Sequence, residues 1–472
     1  MDPDLANKEM PTSDVLVQQT SRTRLEGKEN PLNWSLMRKW LYTSTVVFIS
    51  GIVGFSSSVQ TPAIPAIAHT FGTSRLVATL ASTTYLIGCA FGPQVFAPLS
   101  ELWGRNPLYY SAFLIATLAN LACALSPNIA TFLVFRFIAG LFSLSAVANC
   151  GGTITDLWPQ SNRTVPFALF TVASFCGPVL GPIIGGFLTE YAGWRWNFWL
   201  VFIVMAVNYA IMLFTLPETY APILIERKND KFGVKTHHEP RSTRFAQTLL
   251  RPWIMLFTEP ILFSFSLYMA FIYGVLFLDF TAYPIVFQQT RGWSVGISGL
   301  SFTGIGVGMV LATILSPYAN RVHSRYVQKL GPVPEARLPH LIFIVWLLPV
   351  GIFWFAWTAL PPVPWIVSIL SGIPFGFALV MLFTGISSYL TDCYDRYGAS
   401  ALAANTMLRC LFGAGFALFA NTMYEKMGTP WATSTLGFIA LVMGIMPLVF
   451  YRYGARLRAA SKFHISVTTD GN

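Results

Sequence analysis

Charge is scarce in this chain. Only 11% of its 472 residues are charged and 54% are hydrophobic, whereas a globular domain carries about 25% charged residues. A soluble domain of ordinary make is excluded. Cysteine is scarce as well. Cys89, Cys123, Cys150, Cys176, Cys393 and Cys410 all fall in apolar runs or at one edge of them. None lies in a segment expected to face an oxidising exterior, so no disulfide framework is expected. No pair has metal-ligand spacing, and His237-His238 has no third ligand nearby. There is no phosphate-cradling loop and no nucleophile–base constellation. The expectation is no enzyme, no metal and no cofactor. A cleavable signal is missing too: the start is polar to about Lys39, and the first apolar run is too long for a signal h-region.

Long apolar runs are what the chain has. A run of about 20 residues crosses a bilayer as a helix, because an open strand cannot satisfy its backbone in lipid. Such runs lie near 41–61, 78–98, 108–126, 129–151, 165–189 and 197–217, then near 260–286, 296–318, 340–359, 363–390, 399–422 and 432–452. The expected fold is therefore an all-α membrane protein with twelve transmembrane helices. Its parts are a disordered tail (1–39), six helices (40–217), a polar linker (218–253), six more helices (254–453) and a short basic tail (454–472). The net charge of +10 follows this topology. With both termini in the cytosol, 24 Lys and Arg lie on the cytosolic side, 4 lie outside and 2 lie within spans. That bias fits the positive-inside rule and anionic inner-leaflet lipid, and it speaks against a nucleic-acid partner.

Polar residues inside the spans are the functional candidates. Arg136 sits in Phe135-Arg-Phe-Ile-Ala-Gly140 with apolar neighbours on both sides. Burying it costs about 2.5–3.5 kcal/mol on insertion scales, so it must find a cavity or a partner. Asp279, in Leu278-Asp-Phe-Thr-Ala-Tyr-Pro284, is the only carboxylate well inside any span. It suits a proton carrier, a partner for Arg136 or a lure for a cation. Tyr283 beside Pro284 is a pocket aromatic. Ser50, Ser56, Ser57, Ser58 and Gln60 stripe the first span. They either bond other helices or line a wet cavity. Span eleven carries Asn405 and Arg409. Arg409 is placed toward the cytosolic half, within reach of Asp392 or Asp395.

The fifth span sets the fold's main joint. Gly177, Gly181 and Gly185 recur every four residues and so share one helix face. Missing side chains there admit another helix closely, while Pro178 and Pro182 remove two backbone donors and bend the helix. At the cytosolic end of span two stands Ala97-Pro-Leu-Ser-Glu-Leu-Trp-Gly-Arg-Asn106, and span four closes with Asp156-Leu-Trp-Pro-Gln-Ser-Asn-Arg163.

Together these strings resemble the major facilitator superfamily. Gly177-xxx-Gly181-Pro182-xx-Gly185-Gly186 is similar to the antiporter signature of its drug exporters. Glu101, Gly104 and Arg105 fall on its loop between helices two and three, with Ala97 and Leu102 departing from the pattern. Arg136 and Gly140 fall on its fourth-helix motif, where Ala139 stands for the usual Gln. Gly193-Trp-Arg-Trp-Asn-Phe-Trp199, Leu216-Pro-Glu-Thr-Tyr-Ala-Pro222 and Gly331-Pro-Val-Pro-Glu-Ala-Arg337 resemble the fungal drug:proton antiporter branch.

The resemblance implies two six-helix bundles around a central cavity, rocking about it. It implies a proton-coupled antiporter that exports small amphipathic molecules from a fungal plasma membrane, acting as a monomer. The coupling and cavity set is then Arg136, Asp279, Tyr283, Gln60 and Asn405. Gly177, Pro178, Gly181, Pro182, Gly185 and Gly186 form a gate helix that seals against the other half. Glu101, Gly104, Arg105, Asp156, Arg163 and Arg409 form a cytosolic latch. Two alternatives remain: a nutrient uptake symporter and a non-transporting membrane receptor.

Overall fold

The computed structural model describes residues 27–159, 162–231, 241–331, 333–394, 397–459 and 461. Among them every element is helical. The long helices are α1 (Leu36–Ser58), α2 (Arg75–Trp103), α3 (Arg105–Ala124), α4 (Ile129–Leu157), α5 (Thr164–Tyr191) and α6 (Arg195–Thr215). The second half holds α7 (Pro260–Pro284), α8 (Thr303–Leu330), α9 (Pro334–Thr358), α10 (Trp365–Tyr394), α11 (398–427) and α12 (429–459). Several run past the apolar stretch that marks them, because a helix need not stop where hydrocarbon does.

Eleven segments are long and apolar enough to span, and the last of them, Gly398–Ala459, has 62 residues. At about 1.5 Å per residue that would be about three bilayer cores in a straight rod. Gly428 reverses it, with φ 71° and ψ 159°. Only glycine adopts that conformation cheaply, so the segment makes two crossings and the total is twelve.

Neighbours repeat with a shift of six. α1 packs on α5, α2 on α4, and α3 on α4 and α6; α7 packs on α11, α8 on α10, and α9 on α10 and α12. Two such bundles meet along α2–α11 and along α5–α8. Thr83 Oγ1 donates to the Ala414 carbonyl at 3.3 Å, and Gln94 Nε2 to the Ala403 carbonyl at 2.7 Å. The expected fold stands.

The linker is more ordered than its composition suggests. It forms the helices Ala221–Lys231 and Arg241–Thr258, the second packed on both α2 and α11. Ahead of α1, Gly27–Glu29 and Pro31–Asn33 make short turns, and Glu29 pairs with Lys228 at 2.8 Å. Order therefore begins before residue 39. The disorder expected of residues 1–26, the end of the basic tail (462–472) and His237-His238 lie outside the described residues.

Ser50 and Ser58 of the α1 stripe face α5. Pro182 has no N–H, so the carbonyl of Pro178 loses its helical donor. Ser58 Oγ supplies one at 2.6 Å. One turn pair back, the hydroxyls of Ser50 and Ser174 meet at 2.5 Å. Ser56 Oγ donates to Asn120 Oδ1 at 3.2 Å, and Gln60 Nε2 to Ser82 Oγ at 2.9 Å. The stripe is helix–helix bonding and not a cavity wall.

The glycine face needs a correction. A methyl group on Gly177, Gly181 or Gly185 would strike Gly51, Ser58 or Val59, all on or just past α1 in the same bundle. The face turned to the other half is the next one. Gly186 meets Val295, and the carbonyl of Pro182 meets Gly299. The glycine stripe packs α5 into its own bundle, while Pro182 and Gly186 face the other half. Ser58→Ala is expected to cost about 1–3 kcal/mol by stranding a carbonyl, and Gly181→Leu to cost more by forcing α1 away. Thermal unfolding in detergent should show both losses, larger for Gly181→Leu; an unchanged midpoint in both would contradict the seam.

Candidate functional site

The five residues of the coupling and cavity set are not brought together. Arg136 is fully buried inside the first bundle. Its Nε donates to the Ala81 carbonyl and both terminal nitrogens to the Ser56 carbonyl, each at 3.2 Å. Its guanidinium carbon lies 4.3 Å from the Tyr85 ring centre and 5.5 Å from that of Phe198. Among the described residues no carboxylate pairs with it. Carbonyl dipoles and ring faces carry the charge instead. Gln60, just past α1, is buried in the same bundle against Ser82 of α2.

Asp279 and Tyr283 lie in the second bundle, 8% and 2% exposed. They line a narrow cavity of about 10 Å³, room for about one water, with Ser371 of α10, Thr433 of α12 and Phe355 of α9. Tyr283 stacks on Phe355 with ring centres 4.7 Å apart and planes 6° apart. Among the described residues Asp279 has no ion-pair partner, Arg136 included. Asn405 is 2% exposed on α11, with its Nδ2 unpartnered.

A second narrow cavity, also of about 10 Å³, lies between the bundles, so a cargo enters it only as the bundles move apart. Phe175 comes from α5, Met269, Ile272 and Tyr273 from α7, Leu379 and Phe383 from α10, and Arg409 from α11. Arg409 is therefore no part of the latch. Asp392, its expected partner, is taken by Arg337, and Asp395 lies outside the described residues.

Of the residues expected in the latch, the structure brings Arg105 and Asp156 together, and Glu218 joins them. Arg105 Nε lies 3.7 Å from Asp156 Oδ2, and its Nη1 donates to Ser100 Oγ at 2.9 Å. Glu218, 5% exposed, binds the start of α3. Its carboxylate accepts the amides of Arg105, Thr219 and Tyr220 at 3.0 Å and that of Asn106 at 3.1 Å. An anion at a helix N-terminus meets both free N–H groups and the helix dipole. Gly104 has φ +96°, and a β-carbon there would run into Glu218, so the position demands glycine twice over. Arg163 does not join this cluster. It closes the end of α4, donating to the carbonyls of Thr155 at 3.1 Å and Trp158 at 3.0 Å. The Glu101 side chain lies outside the described residues.

The second bundle repeats the device with other partners. Arg337, at the start of α9, pairs with Asp392 at the end of α10, as Arg105 of α3 does with Asp156 of α4. Arg458 and Glu335 meet at 3.1 Å.

A sequence model of the major facilitator superfamily matches residues 46–418. The chain belongs to the major facilitator superfamily. Within it, an efflux pump of Trichophyton rubrum is 42% identical over 92% of this chain and 75% of its own length. A multidrug transporter of Aspergillus fumigatus is also 42% identical, over 92% and 74%. The solved proton:xylose symporter XylE superposes with a TM-score of 0.65 at 17% identity, covering 88% of this chain and 96% of its own, a likeness of fold.

For this superfamily member, two residues escaped the sequence reading. Glu218 stood in the Leu216-Pro-Glu-Thr-Tyr-Ala-Pro222 string, at a helix end beside the Gly-Arg turn it caps. Glu190, at the C-terminal end of α5, accepts the Gly296 amide of the other bundle at 2.7 Å. No pattern in the sequence marks it, since exposed Glu residues near loops are common. Glu218→Ala is expected to lower stability by about 1.5–3 kcal/mol, and Glu218→Gln by less, because one acceptor survives. A thermal midpoint unmoved by Glu218→Ala would show that the carboxylate does not hold the latch.

Proposed function

We propose that this transporter is a proton-coupled antiporter that exports small amphipathic organic molecules by alternating access, from the plasma membrane, as a monomer with both termini in the cytosol. The relatives named as an efflux pump and a multidrug transporter support the direction of transport. The observation that carries the coupling is the separation of two voids. Asp279 sits unpaired in a void inside the second bundle, and the aromatic void lies between the bundles. In this reading Asp279 takes and gives a proton as access changes.

In this reading the cargo enters between the halves from the cytosol or inner leaflet. The α5–α8 contact around Gly186, Glu190 and Gly296 closes the outside. Rocking of the bundles releases the cargo outward, and a proton arriving at Asp279 from outside resets the carrier. Arg136 supports this from within the first bundle by tying α1, α2 and α4 into one body, through the carbonyls of Ser56 and Ala81. Gln60 fixes the outer ends of α1 and α2, and Asn405 and Tyr283 border the moving parts.

The test is efflux of a panel of fluorescent amphipaths from sealed vesicles under an imposed pH gradient, with native protein and Asp279→Asn. Native protein is expected to move at least one compound against its gradient. The variant is expected to lose that pH-driven accumulation by at least tenfold while still exchanging the compound at equal concentrations. Full pH-driven transport by Asp279→Asn would place coupling elsewhere, and inward accumulation by the native protein would favour an uptake symporter.

A further inference from the structure

We infer that the void between the bundles is a charge-selective site, and that Arg409 selects cargo that is an organic anion with an aromatic or apolar body. This rests on the export reading and names the cargo class for it. The wall of the void is otherwise apolar: Phe175, Met269, Ile272, Leu379 and Phe383, with the ring of Tyr273. Among the described residues, Arg409 is the only charged group in it. Its guanidinium carbon lies 4.8 Å from the Tyr273 ring centre and 4.7 Å from that of Phe383. Ring faces attract the cation, yet they give its N–H groups no strong acceptor. Its Nε is buried without a hydrogen-bond partner, and among the described residues no carboxylate pairs with it. Asp279 lines the other void, and Asp392 is engaged with Arg337.

Arg136 supplies the contrast. It too is a cation in a span with ring faces beside it, but chain carbonyls accept its N–H groups. Arg409 lacks that finish and sits where both halves meet. A planar guanidinium presents a fork that matches a carboxylate, and the aromatic wall around it matches a ring. Met269 gives the wall room to adapt to different ring systems. A cationic amphipath would meet a like charge with nothing to offset it.

The experiment uses the full chain, purified in detergent, with three probes that share a ring: 1-naphthoate, 1-naphthamide and 1-naphthylmethylammonium. Equilibrium dialysis reads their binding. Native protein is expected to hold 1-naphthoate at least tenfold more tightly than the amide, and the ammonium more weakly still. Arg409→Gln should bring the acid-to-amide ratio close to one, and Arg409→Lys should keep part of it, since a point charge replaces the fork. The native comparison needs no variant to fold. Equal or tighter binding of the amide or the ammonium overturns the inference, as do failure of all three probes to bind and an undiminished preference in Arg409→Gln.

Reconstituted protein then separates the two readings. Proton-driven efflux of neutral or cationic amphipaths without preference for 1-naphthoate leaves the exporter standing and removes the anion site. Selective binding of 1-naphthoate with no proton-driven flux of any compound keeps the anion site and removes the exporter.

Discussion

A proline inside a membrane-spanning helix leaves a carbonyl that lipid cannot answer. Here Pro182 strands the carbonyl of Pro178, and Ser58 of α1 answers it. That bond is possible only because Gly54, Gly177 and Gly181 let the two helices approach backbone to backbone. The same helix α1 gives the carbonyl of Ser56 to Arg136. The bend of α5, the seating of α1 and the burial of a cation on α4 are thus one arrangement. They bind the first bundle into a single body.

The two halves share their packing plan but not their chemistry. The buried cation of the first bundle is fully engaged by its own chain. Among the described residues, Asp279 and Arg409 of the second half have no ion-pair partner. In the function proposed here a proton meets the first and a substrate the second. The bundles meet through helices placed in like positions, α2 with α11 and α8 with α5, so each contact can loosen at one end as it tightens at the other.

Much of this was legible in the chain. Twelve apolar runs gave twelve spans because hydrocarbon thickness sets helix length, and Gly428 explains the one place where two of them run together. The every-four spacing of Gly177, Gly181 and Gly185 showed a close-packed face, but periodicity cannot say which helix occupies it. The serine stripe was ambiguous for the same reason: its partners lie on three other helices, among them the proline-freed Pro178 carbonyl that Ser58 meets. Glu218 was missed because its role depends on the fold returning it to the start of α3, 113 residues earlier. Arg409 was misplaced although counting locates it. At about 1.5 Å per residue from Gly398, it lies about 16 Å along α11, near mid-bilayer.

The central claim is that rigid bundles rock about the seam between α5 and α8. Distances between paired spin labels, measured by pulsed electron resonance in lipid nanodiscs, test it most directly. One pair spans the halves at the outer rim, Tyr191 with Ile297, both exposed. The other stays in the first bundle, Tyr191 with Leu76, also exposed. On acidification and on adding a transported compound, the cross-bundle distance should gain a longer population while the within-bundle distance holds. A cross-bundle distance that never changes, or a within-bundle distance that changes as much, would contradict the account.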